Sequence, residues 1–450
     1  MRLIALLIQF ITYVFSLAQL SQSYSYAGLY YENSGPLTLG VAVLGMLLLA
    51  LLLPGRLVRP SDGVLWVMAS FLTVPTLAFL FANGSYDLWT RVVSCVAVLG
   101  GTILTILLVG SPSLQPLRVP RATPDATTYR WLVLVAVLGV LAISVIAYGF
   151  SGFDLGFDDI YARRLAAREV VSPFPGADYL VMWQGAVLVP LLLTLGIAQR
   201  SMVPIAVAVL AVLVQFSIAG EKGAIFGLVF TVVVYLAFRA KRSMGAPPLA
   251  WALAALLVVP VVIDSLLGSL GFQYALTRRL GLIPAMLTNE YVEYADANGS
   301  SYFQQHILKF VSEGEPLAPA RVIGELISPG AGTNANANAL ADGYLSWGLL
   351  GAFLMAALLG LFLRLLDRAA IGKDLAIAGA AIVSTMAAVT NAYLPTTVVS
   401  GGGLLLLLMI WLLPPGSRQP EANEDHRDQR MSTHLTSEQL ESGDGAVRCR

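Results

Sequence analysis

Stretches of about 20 apolar residues recur along most of the chain, each long enough as a helix to cross a hydrocarbon layer roughly 30 Å thick. They lie near 3–20, 36–54, 63–82, 91–109, 131–149, 177–198, 201–219, 223–239, 249–268, 342–363, 374–392 and 397–414. Lipid offers no hydrogen bonds to backbone groups, so only helices and closed barrels can span it. These runs are too long for barrel strands and lack a period-two alternation. The expected fold is therefore an all-α polytopic membrane protein with about twelve transmembrane helices. Of the 450 residues, 57% are hydrophobic and 12% charged, against about 25% charged in soluble domains. Twenty-seven basic and 27 acidic side chains cancel, which argues against nucleic acid as a partner. Cys95 sits in an apolar run and Cys449 at the far C-terminus, so no disulfide framework is expected. The first run ends in SQSYSY rather than at a small-residue cleavage site, and reads as a retained helix.

Orientation follows from the cations of the short connections. With the N-terminus inside, Arg2, Arg56, Arg59, Arg130, Arg200, Arg239, Arg364, Arg368 and Lys373 all fall on the cytoplasmic side, with further Arg and Lys beside them. The short outer connections receive only Arg91 and Lys222. Both termini are thus expected in the cytoplasm. Two long connections, about 151–176 and 271–341, fall outside. Residues 1–414 form the membrane domain, and the polar stretch 415–450 reads as a disordered cytosolic tail. There is no convincing internal repeat, which counts against repeat-built transporter folds.

Cations on the outer side are the candidates for chemistry. The first outer loop reads SGFDLGFDDIYARRLAAREVVSPFPG. Arg164 and Arg168 stand at i, i+4 on a short helix with Arg163 adjacent. This arrangement either grips a phosphate or diphosphate bidentately or pairs internally with Asp159 and Glu169. In the hairpin SIAGEKGAIFG, Lys222 either snorkels beside Glu221 or meets a phosphate at the start of the following helix, next to Gly220 and Gly223. The second outer loop opens GFQYALTRRLGLIPAMLTNEYVEYADANG. Leu276, Leu280, Ile283 and Leu287 recur at helical spacing, so an amphipathic helix is expected on the membrane surface, kinked or restarted at Pro284. Arg278 and Arg279 lie within it, in reach of lipid head groups or a lipid-borne phosphate. Tyr274, Tyr291, Tyr294 and Tyr302 are interfacial anchors or platforms for sugar rings. The loop closes in RVIGELISPGAGTNANANALADGYLSWGLLGAFL. Asn334, Asn336 and Asn338, with Asp342 one turn on, either suit a hydroxyl-rich ligand or serve turn chemistry. Asp264, late in the ninth run, is expected to face the protein interior or the membrane interface. His306 reads as ordinary surface. No HExxH, Cys/His cluster or Walker loop occurs.

IYARR with SPFPGADYL, then AGEKGAIFG, TRRLGLIPAMLTNEY and NANANALADGYLSWGLLG, in that order over about residues 150 to 365, resemble the Wzy-type polymerases of bacterial O-antigen and exopolysaccharide repeat units. The resemblance implies a glycosyltransferase C-like membrane fold in the inner membrane. It also implies a glycosyltransferase using no metal, cofactor or nucleotide sugar, which moves a growing glycan from undecaprenyl diphosphate to a second undecaprenyl-diphosphate-linked oligosaccharide. Partners on that reading are membrane lipid, a flippase and a chain-length regulator. Carried onto this chain, the diphosphate-gripping cations are Arg164 with Arg163, Lys222, and Arg278 or Arg279. An Arg-x10-Gly arrangement associated with polymerases falls at Arg321 to Gly332. Asp342 or Glu325 would take the acceptor's proton. The related O-antigen ligases carry a His ahead of a Gly-x-x-Gly pair. Here the pair is Gly348 and Gly351 and the His position is Asn336, which disfavours a ligase. A flippase of lipid-linked oligosaccharide is the remaining alternative, and the nearly charge-free mid-span regions weigh against it.

Overall fold

Capping residues set several of the helix starts. Asp87, Asp125, Asn338 and Asp374 accept hydrogen bonds from first-turn amides, while prolines open others, where a missing N–H costs nothing. The computed structural model describes residues 1–25, 28–111, 123–149, 153, 176–220, 222–240, 246–304, 318–330 and 334–416. In chain order these give α1 (Arg2–Tyr24), α2 (Pro36–Leu52), α3 (Pro60–Ala82), α4 (Leu88–Gly110), α5 (Ala126–Tyr148), α6 (Ala177–Ala198), α7 (Met202–Ala219), α8 (Lys222–Arg239) and α9 (Pro248–Leu267). Then follow α10, π-helical over Gln273–Leu282 and α-helical over Ile283–Asn298, α11 (Pro319–Ile327), α12 (Ala339–Ala369), α13 (Leu375–Met386), α14 (Leu394–Val398) and α15 (Gly403–Leu412). Among the described residues the β pairing is a single isolated bridge, Tyr31 with Asn83. Met1–Pro414 forms one unit and Pro415–Arg450 another.

Every apolar run of the sequence coincides with a helix. Among the described residues eight helices are long and apolar enough to cross a membrane: α1, α3, α4, α5, α6, α9, α12 and the stretch Leu394–Leu412. The apolar helices Pro36–Leu52, Met202–Ile218, Gly223–Arg239 and Leu375–Thr390 are shorter. Among the described residues the regular structure is all helical, that of a polytopic membrane protein. Leu37, Leu51, Met202 and Leu266 are at least 72% exposed, a surface that water would penalise and lipid does not. α3 is the central post, with 94% of its apolar window buried.

Polar groups inside this bundle are used to repair irregular helices, because lipid cannot. α3 is π-helical over Ala69–Thr73, and Tyr13 of α1 donates to the Ser70 carbonyl at 2.9 Å. α6 is π-helical over Gln184–Leu188. There Thr385 of α13 donates to the Ala186 carbonyl (2.6 Å), and Gln215 of α7 donates to Gln184 Oε1 (2.8 Å).

Cations close helix ends at the end of the bundle where α1 starts. Arg2 donates to Leu53 O, Arg59 to Val109 O at 2.9 Å, Arg364 to Leu108 O and Ser111 O at 2.8 Å each, and Lys373 to Leu413 O. These carbonyls belong to the last turns and caps of α2, α4 and α15, where backbone partners run out, so the cations that set the orientation rule also cap helices.

Candidate functional site

The site lies at the opposite end, where α10 crosses several helices. Its π-helical part packs on α1 and α9, and its α-helical part on α3, α4 and α12. The expected surface helix is thus corrected: residues 284–289, 291 and 292 of α10 are all buried. Nor does the leucine stripe turn inward alone. In the π-helical part the fully buried face is Gln273, Thr277 and Gly281, with the Tyr13 phenol against Gly281 so closely that a Cβ there would overlap the ring. Pro284 stands where π-helix gives way to α-helix and offers no N–H to the carbonyls of the preceding turn.

α12 comes to α10 as a broken helix. Trp347 and Gly348 leave helical geometry, Gly348 with φ +58°, a conformation that favours glycine. The chain folds back so sharply that a Cβ on Gly343 would fall 2.5 Å from the Gly351 carbonyl oxygen. Breaking the helix frees the carbonyls of Leu345 and Ser346. The amides of Ser301 and Tyr302, just past α10, take them at 2.9 and 3.0 Å. Three side-chain bonds complete the joint: Asn338 Nδ2 to Thr288 Oγ1 (2.7 Å), Tyr291 Oη to the Ala335 carbonyl (3.0 Å) and Tyr344 Oη to Asp296 (2.9 Å). TRRLGLIPAMLTNEY and NANANALADGYLSWGLLG, far apart in sequence, therefore form one body.

Arg278 carries the clearest functional geometry. Its guanidinium carbon lies 4.5 Å from the Tyr274 ring centroid and 5.9 Å from that of Tyr24, and the two rings stack at 4.6 Å. Nε is buried and has no hydrogen-bond partner in the structure. Aromatic faces hold a guanidinium in place without consuming its N–H donors, so this arginine is positioned with donor capacity to spare. Tyr24 and Tyr274 as its frame carried no signal in the sequence beyond aromatic residues at helix ends.

The remaining expected site residues divide. Arg279, Arg321, Asn334 and Asn336 are exposed. Asn338 Oδ1 caps Leu340 and Ala341 at 3.0 Å each, and its amide donates to Thr288. Tyr291 is fully buried, with its hydroxyl 2.5 Å from that of Tyr393. Asp342 is fully buried too. Burial, then the neighbouring hydroxyl and the Asp342 charge, push the Tyr291 hydroxyl far above its usual range. Asp342 therefore lies within electrostatic reach of the tyrosine pair, in the buried joint between α10 and α12. Glu325 accepts from the Gly330 amide at 2.6 Å. Arg163, Arg164, Arg168, Glu221, His306 and Gly332 lie outside the described residues, as does the Lys222 side chain. Among the described residues no three His, Cys, Asp or Glu could together hold a metal ion. Asp264 faces inward, accepting from the amides of Phe272 (3.1 Å) and Gln273 (2.7 Å), and so fixes the start of α10.

Glu290, which the motif reading passed over, accepts from Tyr86 at 2.6 Å. Burial raises its pKa above the usual carboxylate range, the Tyr86 bond pulls it down, and the Glu293 charge raises it again. A folded-state pKa above the unfolded value favours the protonated carboxyl. The resulting stability is complete below about pH 4 and is lost as pH rises through the folded pKa. Glu290→Gln, which can still accept from Tyr86, is expected to unfold at a higher temperature than wild type at pH 7, with the gap closing by pH 4. Thermal melts of purified protein across that window measure it; a gap independent of pH would refute the linkage.

Comparison with known protein families, characterised proteins and solved structures found no match.

Proposed function

We propose that the chain is a Wzy-type polymerase of the bacterial inner membrane, extending undecaprenyl-diphosphate-linked repeat units into O-antigen, capsule or exopolysaccharide on the periplasmic face. The observation that carries this reading is the joint between α10 and α12. Two of the motifs on which the resemblance rests meet there, and Arg278 stands beside them with unspent donors. On this reading the shorter apolar helices also cross, giving twelve spans, and the cation-capped end lies in the cytoplasm with both termini.

The chemistry asks little of the protein beyond charge and position. The acceptor sugar's hydroxyl oxygen bonds to the donor's anomeric carbon, and the bond from that carbon to the diphosphate oxygen breaks. The electron pair leaves with the lipid diphosphate, and the hydroxyl proton passes to a base or to water. Arg278 is assigned to the developing diphosphate charge, where preorganised donors are worth most, with Arg279 beside it in sequence and Arg164 and Lys222 joining from the other outer segments. Holding both lipid-linked units at one bundle end supplies proximity.

Purified protein in liposomes, given lipid-diphosphate-linked repeat units and no nucleotide or divalent metal, is expected to yield a ladder of longer chains. Units that cross the bilayer without elongation would instead support the flippase reading, which the broken α12 favours. Sidedness has its own test. With Cys95 and Cys449 replaced, an impermeant maleimide added to intact spheroplasts is expected to label Glu32→Cys and spare Arg368→Cys. The reverse pattern would overturn the orientation.

A further inference from the structure

Five buried side-chain oxygens where α1 meets α3, α9 and α10 have no hydrogen-bond partner: Gln9 Oε1, whose amide donates to the Ala250 carbonyl of α9 at 3.4 Å, Ser16 Oγ, Ser70 Oγ, Gln273 Oε1 and Thr277 Oγ1. All five residues are 0% exposed. Hydroxyls on helices ordinarily turn back to the carbonyl one turn earlier, and in this chain Thr12, Thr76, Ser144, Thr288 and Ser346 do so at 2.7–2.9 Å. Ser16, Ser70 and Thr277 do not.

Two contacts fix how the helices face one another. Gln273 Nε2 donates to Gln19 Oε1 at 2.8 Å, and Gly281 receives the Tyr13 phenol, whose hydroxyl reaches Ser70 O. Ser16 lies midway between positions 13 and 19, and Thr277 midway between 273 and 281. The two hydroxyls therefore stand in one layer, with Ser70 beside the Tyr13 hydroxyl. Gln9 extends the same face of α1 inward, so the seam from Gln9 to Gln19 is about 15 Å long. A buried polar atom left unpaired costs as much as a lost hydrogen bond, and polar contacts just beyond direct reach are the usual place for a bridging water.

We propose that this seam is a hydrated site, a short column of water molecules bonded to the hydroxyl and amide oxygens of α1, α3 and α10. Water matches the orphan set because the glutamine oxygens need donors, whereas the hydroxyls need both donors and acceptors. A monovalent cation would satisfy acceptors alone and would sit close to the guanidinium of Arg278, the neighbour of Thr277. The π-helical segment that carries Arg278 is thus seated on α1 partly through water. The inference stands on burial and register, independent of the polymerase reading.

Radiolytic hydroxyl-radical labelling of the purified full-length protein tests it, since bound water delivers radicals to buried side chains. Tyr13 and Tyr129 are both 0% exposed, and the Tyr129 hydroxyl bonds to the Met409 carbonyl (2.8 Å), away from the seam. Tyr13 is expected to label several-fold faster than Tyr129; equal protection would overturn the proposal. A cycle of Ser16→Ala, Thr277→Val and the double variant adds a second measurement. Loss of shared water predicts a combined fall in unfolding temperature smaller than the sum of the two single falls, and strict additivity would count against it. In a water-resolving structure, density is expected about 2.7–3.0 Å from both hydroxyls. A direct Ser16–Thr277 bond, or an ion at the shorter contact distances of a cation, would overturn it.

Discussion

Alanine at position 278 will cut chain extension by roughly 10²–10³-fold, the loss typical of removing one preorganised donor to a developing oxyanion, while the protein remains folded. The expectation of intact folding rests on the local contacts. Arg278 touches Tyr274 and Tyr24 through ring faces, and those rings still stack on each other at 4.6 Å once the guanidinium is gone. Arg278→Lys keeps the charge but loses the planar fork and much of the stacking, so it is expected to recover only a small part of the activity. Elongation of lipid-linked repeat units by reconstituted protein is the direct assay, with the unfolding temperature as the control. Wild-type ladders from Arg278→Ala would remove the central residue of the proposed site. A fall in unfolding temperature matching the fall in activity would reassign the arginine to packing. Arg279→Ala serves as the neighbouring comparison, since its side chain is exposed and its loss is expected to cost less.

How far the sequence could be read depended on the solvent each residue meets. The apolar runs were legible because lipid demands about 20 apolar residues per crossing, and no tertiary contact overrides that demand. The caps at Asp87, Asp125 and Asp374 follow from residue type alone. The facing of α10 was not legible. In water an apolar stripe marks the buried face, but in a lipid-embedded bundle apolar residues serve either environment, and here Gln273, Thr277 and Gly281 turn inward. The π-helical segments were equally hidden, because they are stabilised by partners far away in sequence, as Tyr13 is for Ser70. Asn338 and Tyr291 have the residue types of a sugar site, yet their hydrogen bonds are consumed in joining α12 to α10. Arg278 was identifiable as a candidate, but its aromatic frame required α1 to be placed beside α10.

The glycines that break α12 set the other large effect. Gly351→Val is expected to prevent the native fold from accumulating, because a Cβ at 351 would overlap the Gly343 carbonyl, and both partners in that contact are backbone. No rotamer change relieves such an overlap, so the two arms of α12 must separate. Separation withdraws the Leu345 and Ser346 carbonyls from the Ser301 and Tyr302 amides, and within a membrane those four groups have few substitutes. The cost is at the upper end of single substitutions, above about 4 kcal/mol. Gly348→Ala acts differently, since nothing lies within 4 Å of a Cβ there. Its penalty is the backbone conformation alone, φ +58° with ψ −148°, a region open essentially to glycine, costing up to about 3 kcal/mol. Yield of monodisperse protein in detergent and its unfolding temperature separate the two variants. Near-normal behaviour of Gly351→Val would mean that α12 can run straight through residues 347 and 348. The joint with α10, and the proposed site built on it, would then lose its foundation.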